Sequence, residues 1–253
     1  MNPGSPYDAI AGFYKSAWAG WYLPSVLPAL ERLFFAVLHN GATVLDVCCG
    51  CGHITVELAA RGFKVTGLDA SAALVQRASE LLPGCGFVVA DARDFRLSEA
   101  FDGALSTFDS LNHLLTYMDL CAAFKCVRRA LKPGAPFFFD MNLEEAYSLD
   151  LGSWTRLNAE GQIGFVRGLY DGTTGRGKTE IITFFEDQES GLWRRADAVV
   201  EEQCYSADEI RCALNEAGFK NCVFYTAAQA GVTDELGFGR LYVQTWAPAS
   251  PSL

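Results

Sequence analysis

Short apolar runs alternate with helix-like stretches through the first 150 residues. The runs at 43–47 (TVLDV), 64–68 (KVTGL), 86–90, 104–108 and 136–141 are β-branched or aromatic, and several are apolar at consecutive positions. That is the pattern of strands covered on both faces. Helical spacing fills 54–61, 71–82 and 117–131, and Lys132-Pro133-Gly134 stops the last of these and turns the chain into the fifth strand. Strands alternating with helices predict a parallel sheet. Two helices are expected ahead of it, at 7–17 and 24–38. After about residue 150 three strand-like runs, 165–170, 179–185 and 192–201, follow one another without helices, which predicts an antiparallel insertion. Ser206, three residues ahead of Glu209, forms a capping box for a helix that ends at Gly218. Strands at 222–226 and 241–246 come last, and the tail 248–253 is expected to fray. The fold class expected is α/β: a doubly wound, seven-stranded sheet, mostly parallel with the last strand antiparallel. Residues 1–149 and 204–253 would form one unit and 150–203 an inserted antiparallel β lid.

Composition narrows the partners. Half of the 253 residues are hydrophobic and a fifth charged, enough for one sizeable core. Thirty acidic residues against 20 basic ones, a formal charge of -10, would repel a phosphate backbone, and no Lys/Arg cluster exceeds the pairs Arg128-Arg129 and Arg194-Arg195. Nucleic acid is therefore not expected as a partner. No apolar run approaches the roughly 18 to 20 residues a membrane-spanning helix needs, and the first residues carry no secretory pattern. A cytoplasmic protein with no membrane partner is expected. The nine cysteines, three of them crowded at Cys48, Cys49 and Cys51, suit reduced thiols. Cys48-x-x-Cys51 with His53 lacks a second ligand pair, so no metal is expected.

Candidate chemistry gathers just after the strands, where ligands bind in an open α/β sheet. Behind the first strand, Asp46 precedes Cys48-Cys49-Gly50-Cys51-Gly52, a small-residue turn that lets backbone amides approach a ligand before a helix begins. A dinucleotide fingerprint would need a third glycine where Thr55 stands, and its acid would follow the loop. Asp69 ends the second strand nineteen residues beyond Gly50, where a carboxylate can accept both hydroxyl hydrogens of a ribose. Asp91-Ala92 follows the third strand and offers an acceptor for an exocyclic amine beside an amide donor. The segment GTTGRGKT at Gly172 to Thr179 matches the phosphate-loop pattern, but TEIITFF after it reads as a strand rather than a helix, so a mobile hairpin tip is expected.

VLDVCCGCG, VTGLDAS, ADARDF and FDGALSTFDSLNHLL together resemble the class I S-adenosylmethionine-dependent methyltransferases over roughly residues 7–145. The resemblance implies a Rossmann-like sheet with S-adenosyl-L-methionine as cofactor and S-adenosyl-L-homocysteine as product. It places Gly50 and Gly52 along the methionine portion, with Asp46 holding the loop and reaching the amino group. Asp69 with Ala70 would take the ribose, Asp91 and Ala92 the adenine, and Phe108 would lie under the methionine tail. Tyr14, in YDAIAGFY, resembles a tyrosine that covers the cofactor. Cys48 departs from the family's first glycine; at positive φ its side chain costs on the order of 1 kcal/mol. His113 and Tyr14 are the candidate catalytic groups, since imidazole titrates near neutrality. The activity implied is methyl transfer to an amine or hydroxyl of a small molecule, the methyl acceptor being its partner. Monomer and homodimer both fit. The alternatives are a non-catalytic S-adenosylmethionine-binding module and a nicotinamide-dependent oxidoreductase.

Overall fold

The computed structural model describes residues 5–148, 151–159, 161–187 and 190–249. The first half supplies β1 (Thr43–Val47), β2 (Lys64–Asp69), β3 (Gly86–Val89), β4 (Gly103–Ser106) and β5 (Pro136–Asn142). Four strands of the insertion follow, β6 (Thr155–Ala159), β7 (Gln162–Asp171), β8 (Arg176–Glu186) and β9 (Trp193–Gln203), then β10 (Lys220–Thr226) and β11 (Arg240–Trp246). The main sheet runs β3-β2-β1-β4-β5-β11-β10. Only β11 is antiparallel to its neighbours, pairing with β5 on one side and β10 on the other. Strand order reverses between β1 and β4, so a cleft opens at their carboxyl ends.

The main helices are α1 (Gly20–Leu33), α2 (His53–Ala60), α3 (Ala72–Leu81), α4 (Tyr117–Ala130) and α5 (Ala207–Glu216). The run Phe137-Phe138-Phe139 on β5 shows why its apolar positions do not alternate. Side chains alternate across a strand, so Phe137 and Phe139 join the cluster with Phe124 of α4 and Leu214 of α5, and Phe138 joins Leu30 and Val26 of α1. All three rings are fully buried, each stabilising the fold by about 1.5–3 kcal/mol.

Two expectations at the N-terminal side need correction. In place of helices at 7–17 and 24–38, a 3-10 turn (Pro6–Ile10), one α turn (Ala11–Tyr14) and a π turn (Lys15–Ala19) lead straight into α1. Pro24 reads as a helix start because a missing N–H suits the first turn. Here the chain is already helical when it arrives, and both Pro24 and Pro28 lie inside α1. The fourth strand, expected at 104–108, ends at Ser106 because Phe108 and Asp109 turn left-handed, with φ of 62° and 48°.

The insertion has four strands in the order β6-β7-β8-β9, one more than its apolar pattern indicates. β6, TRLNA, is largely exposed and carries no clear alternation. The segment 172–179 forms the β7–β8 turn and the start of β8, the hairpin expected, but its tip is tied down. Arg176 Nη2 donates to the Leu115 carbonyl at 2.7 Å, and the Cys204 amide donates to Gly175 O at 2.8 Å. The expected frayed tail falls mostly outside the described residues, which end at 249. Among the described residues no helix is long and apolar enough to cross a membrane.

Candidate active site

The turn after β1 alternates handedness: Cys48, Gly50 and Gly52 have φ of 60°, 54° and 83°. Cys48 is thus the one side chain that carries the left-handed penalty here, about 1 kcal/mol. At Gly52 a Cβ would stand 3.1 Å from the Ala78 Cβ of α3, so the close passage of loop and helix also requires glycine. The loop is held from two sides. Asp69 accepts the Gly50 amide at 2.9 Å on one carboxylate oxygen and the Ser71 amide at 2.8 Å on the other. Asp46, buried under the loop, accepts the Thr55 hydroxyl at 2.6 Å. Burial pushes the Asp46 carboxyl up to about 7, against the lowering pull of the Thr55 bond. Burial also raises Asp69, opposed by its two amide donors. Thr55, read from sequence only as a missing glycine, is the donor that satisfies Asp46.

Ala70 is exposed at the turn between β2 and α3, and Ala92 is buried behind β3. Asp91 does not stand open. Its two oxygens meet the Arg93 guanidinium, Nε at 2.9 Å and Nη2 at 2.6 Å, and Arg93 reaches on to Asp119. The Arg93 hydrogen bonds hold the Asp91 carboxyl below the usual range. An adenine amine would therefore share this carboxylate with Arg93.

The N-terminal turns lie between this loop and the inserted sheet. Ile10 is buried with Ile181, Ala198 and Val200 of β8 and β9. Asp8 accepts the Ser71 hydroxyl at 2.5 Å. The Tyr14 ring rests over the loop, 3.5 Å from where a Gly50 Cβ would be. Burial raises the Tyr14 phenol well above its usual range, so it stays protonated. Tyr7 OH lies 3.0 Å from His113 Nε2, and His113 Nδ1 lies 3.0 Å from the Glu201 carbonyl. A carbonyl only accepts, so Nδ1 carries the proton and Nε2 takes the Tyr7 hydroxyl hydrogen. Trp18 stands 6.0 Å from Tyr14, centroid to centroid, and the Tyr22 ring stacks on Phe108 at 4.2 Å. The side chain of Trp21, a third aromatic of this segment, is outside the described residues.

Phe108 and Asp109 occupy a conformation that costs on the order of 1–3 kcal/mol at each non-glycine residue and persists only when its surroundings impose it. Asp140, fully buried on β5, does so. It accepts the Phe108 amide at 3.1 Å, the Asp109 amide at 2.7 Å, the Tyr22 hydroxyl and Arg240 Nη1. Arg240 also reaches Asp109 at 2.8 Å. This network was not legible in the sequence, since Asp140 sits in an apolar run and Arg240 lies a hundred residues on.

Phe108 is the common wall of two spaces. On the loop side a narrow cavity of about 30 Å³ runs between Tyr14, Asp46, Cys51 and Thr107. On the insertion side a cavity of about 270 Å³ opens among Trp18, Asp109, Tyr147, Lys178 and Glu202. Glu202 was likewise missed. It accepts the Tyr147 hydroxyl at 2.6 Å, and burial, then the Asp109 charge, push its carboxyl up.

Residues 44–134 match the family profile described as methyltransferase domain. The protein YqeM of Bacillus subtilis (strain 168), classed with the methyltransferases, is 27% identical over 189 residues, which span 73% of this chain and 76% of its own length. A solved S-adenosylmethionine-dependent methyltransferase from Clostridium acetobutylicum ATCC 824 superposes with a TM-score of 0.69 at 20% identity, covering 96% of each chain. The sugar N-methyltransferase KedS8 from Streptoalloteichus sp ATCC 53650 superposes with a TM-score of 0.72 at 22% identity, covering 99% of this chain and 95% of its own. With this sheet order and this glycine loop, the chain has the fold of the solved S-adenosylmethionine-dependent methyltransferases, and its residues 44–134 are similar to the methyltransferase domain. S-adenosyl-L-methionine is the cofactor on which the Clostridium protein depends.

Proposed function

We propose that this chain transfers the methyl group of S-adenosyl-L-methionine to the amine of a small molecule, with the acceptor held beneath the inserted sheet. The observation that carries this reading is the shared wall at Phe108, which sets a loop-side cavity and a larger cavity of mixed polar and apolar lining back to back. The loop-side cavity suits a cationic ligand: the Asp46 carboxyl and the Tyr14, Tyr22 and Phe108 rings line it, and no Lys or Arg does among the described residues. A dinucleotide pyrophosphate would meet Asp46 there, which disfavours a nicotinamide.

Bound S-adenosyl-L-methionine supplies a methyl carbon already activated by its sulfonium, which is lost to a nucleophile while sulfur keeps the bonding pair. The chain's contribution is alignment and exclusion of water. In this reading Asp69 and Ala70 take the ribose, Asp91 and Ala92 the adenine edge, and Gly50, Gly52, Cys48 and Asp46 the methionine portion. Tyr14, whose phenol stays protonated, covers the cofactor rather than accepting a proton. His113, with both ring nitrogens engaged, pins Tyr7 and β9 together and so keeps the N-terminal segment closed over the site. The likeness to KedS8, a sugar N-methyltransferase, supports a small polar acceptor.

Calorimetry with S-adenosylmethionine, S-adenosylhomocysteine, NADH and ATP tests the cofactor half: both adenosyl compounds should bind, and binding of NADH alone would refute it. Incubation with methyl-labelled cofactor and a panel of amines and phenols tests the transfer. Label in no acceptor would leave the non-catalytic binding module as the better reading.

A further inference from the structure

We propose that Glu202 selects a protonated amine as the acceptor: its carboxylate draws the ammonium group into the cavity beside Phe108 and takes one proton from it. The proposal rests on the methyl-transfer reading above.

Glu202 stands one residue before the end of β9, its side chain only 14% exposed. The charged groups around it come from several elements, and the cations among them are already engaged. Arg240, from β11, is bound to Asp109 and Asp140. Lys178, from β8, is bound to Glu180 at 2.9 Å, and its side chain is 41% exposed at the rim. His113 Nε2 lies 4.0 Å from Glu202 Oε1 and 3.0 Å from the Tyr7 hydroxyl, so it too is already engaged. Asp109, in the turn after β4, adds a second carboxylate facing the same cavity. Three acids, Asp109, Asp140 and Glu202, thus stand around one buried guanidinium. The lining holds two acids, Asp109 and Glu202, and two cations, Arg240 and Lys178; each cation is also bound to a carboxylate behind the wall, Asp140 and Glu180, so with aromatic walls at Trp18 and Phe108 the cavity favours a cation beside Glu202. Burial and the nearby Asp109 raise the Glu202 carboxyl, which brings its proton affinity closer to that of an amine.

The proton balance is simple. The ammonium loses one proton to the Glu202 carboxylate, giving a carboxylic acid and a neutral amine whose lone pair is free. Tyr147 holds the carboxylate by its hydroxyl, and the Tyr147 ring has room only because β8 carries Gly177, where a Cβ would fall 2.6 Å from the ring. A neutral alcohol would gain neither the charge attraction nor a useful proton transfer.

The test uses the full chain loaded with S-adenosylhomocysteine and titrated with amino-deoxyhexose methyl glycosides and benzylamine, each beside its parent alcohol. At least one amine should bind tenfold or more tighter than its alcohol. Glu202→Gln, which still accepts the Tyr147 hydroxyl, should remove that preference while leaving S-adenosylhomocysteine affinity unchanged; Glu202→Asp should keep part of it. A preference that survives Glu202→Gln, or no amine binding to the loaded wild type, overturns the assignment. Failure of S-adenosylhomocysteine itself to bind would instead overturn the methyl-transfer reading beneath it.

Discussion

Replacing Asp46 by asparagine should make the protein more stable at alkaline pH and poorer at binding its cofactor. Asp46 is buried, and its carboxylate accepts the Thr55 hydroxyl at 2.6 Å. Its carboxyl is raised from 3.8 to about 7, first by burial and then by the charge of Asp69, with the Thr55 bond opposing both. The folded chain therefore holds this proton more tightly than the unfolded chain does. The resulting stability is fully present below about pH 4 and is lost progressively as pH rises toward 7. At about 1.4 kcal/mol for each tenfold change in proton affinity, the loss amounts to about 4 kcal/mol. Asparagine cannot ionise, yet its carbonyl can still accept from Thr55, so it resembles the protonated acid at every pH. Urea unfolding of both proteins at pH 5 and pH 8 measures the difference. The advantage of Asp46→Asn should grow by about 2–3 kcal/mol over that interval. A stability difference that does not change with pH would refute the reasoning. Weaker binding of S-adenosylmethionine by the stabilised variant would show that the buried acid is retained for the ligand at the expense of stability.

Other substitutions probe the loop and the buried network. Asp69→Ala should weaken cofactor binding by about 1–3 kcal/mol in calorimetry and lower the thermal midpoint as well, because Asp69 also holds the Gly50 and Ser71 amides; unchanged affinity would remove it from the site. Arg240→Met leaves the fully buried Asp140 and the neighbouring Asp109 without their cation and should destabilise by about 3–5 kcal/mol in denaturant melts. A loss under about 1 kcal/mol would mean the pair is solvated. At Cys48, with φ of 60°, glycine should be more stable than alanine by about 1 kcal/mol, the reverse of the usual order. Comparing Cys48→Gly with Cys48→Ala by thermal unfolding isolates this backbone effect from the loss of the thiol.

The fold and the glycine-loop side of the candidate site were readable because they depend on local order. Strands β1, β2, β4 and β5 show short runs of β-branched, aliphatic or aromatic residues, and the Lys132-Pro133-Gly134 stop and the Ser206 capping box punctuate the helices that follow. Asp46, Asp69 and the small-residue turn lie within 24 residues of one another on two adjacent strands. Parallel pairing of β1 with β2 brings the Asp69 carboxylate to the Gly50 amide with no further information needed. Even the cost at Cys48 could be anticipated, since a glycine pattern interrupted by one side chain marks where the left-handed turn must fall.

The cavity beside the inserted sheet depends on distant chain segments meeting, and nothing local announces that. Asp140 sits in the run Pro136-Phe137-Phe138-Phe139-Asp140, where period and hydrophobicity both call for a strand residue with no special role. Its function arises because β11 returns antiparallel beside β5 and sets Arg240 within reach, while β4 ends early in a turn that needs its two amides satisfied. Glu202 follows the buried Ala198 and Val200 on the inward face of β9, while Asp197 and Glu201 stand on the exposed face, but the contacts with Tyr147 and His113 that define its surroundings come from distant segments. Thr55 looked like a missing glycine until the depth of Asp46 required a donor. The sequence by itself determined the sheet and which residues stand at its strand ends, because short-range pattern suffices to place those ends. Tertiary structure alone decided which charges lose their water, and with that the electrostatics of the cavity beside Phe108.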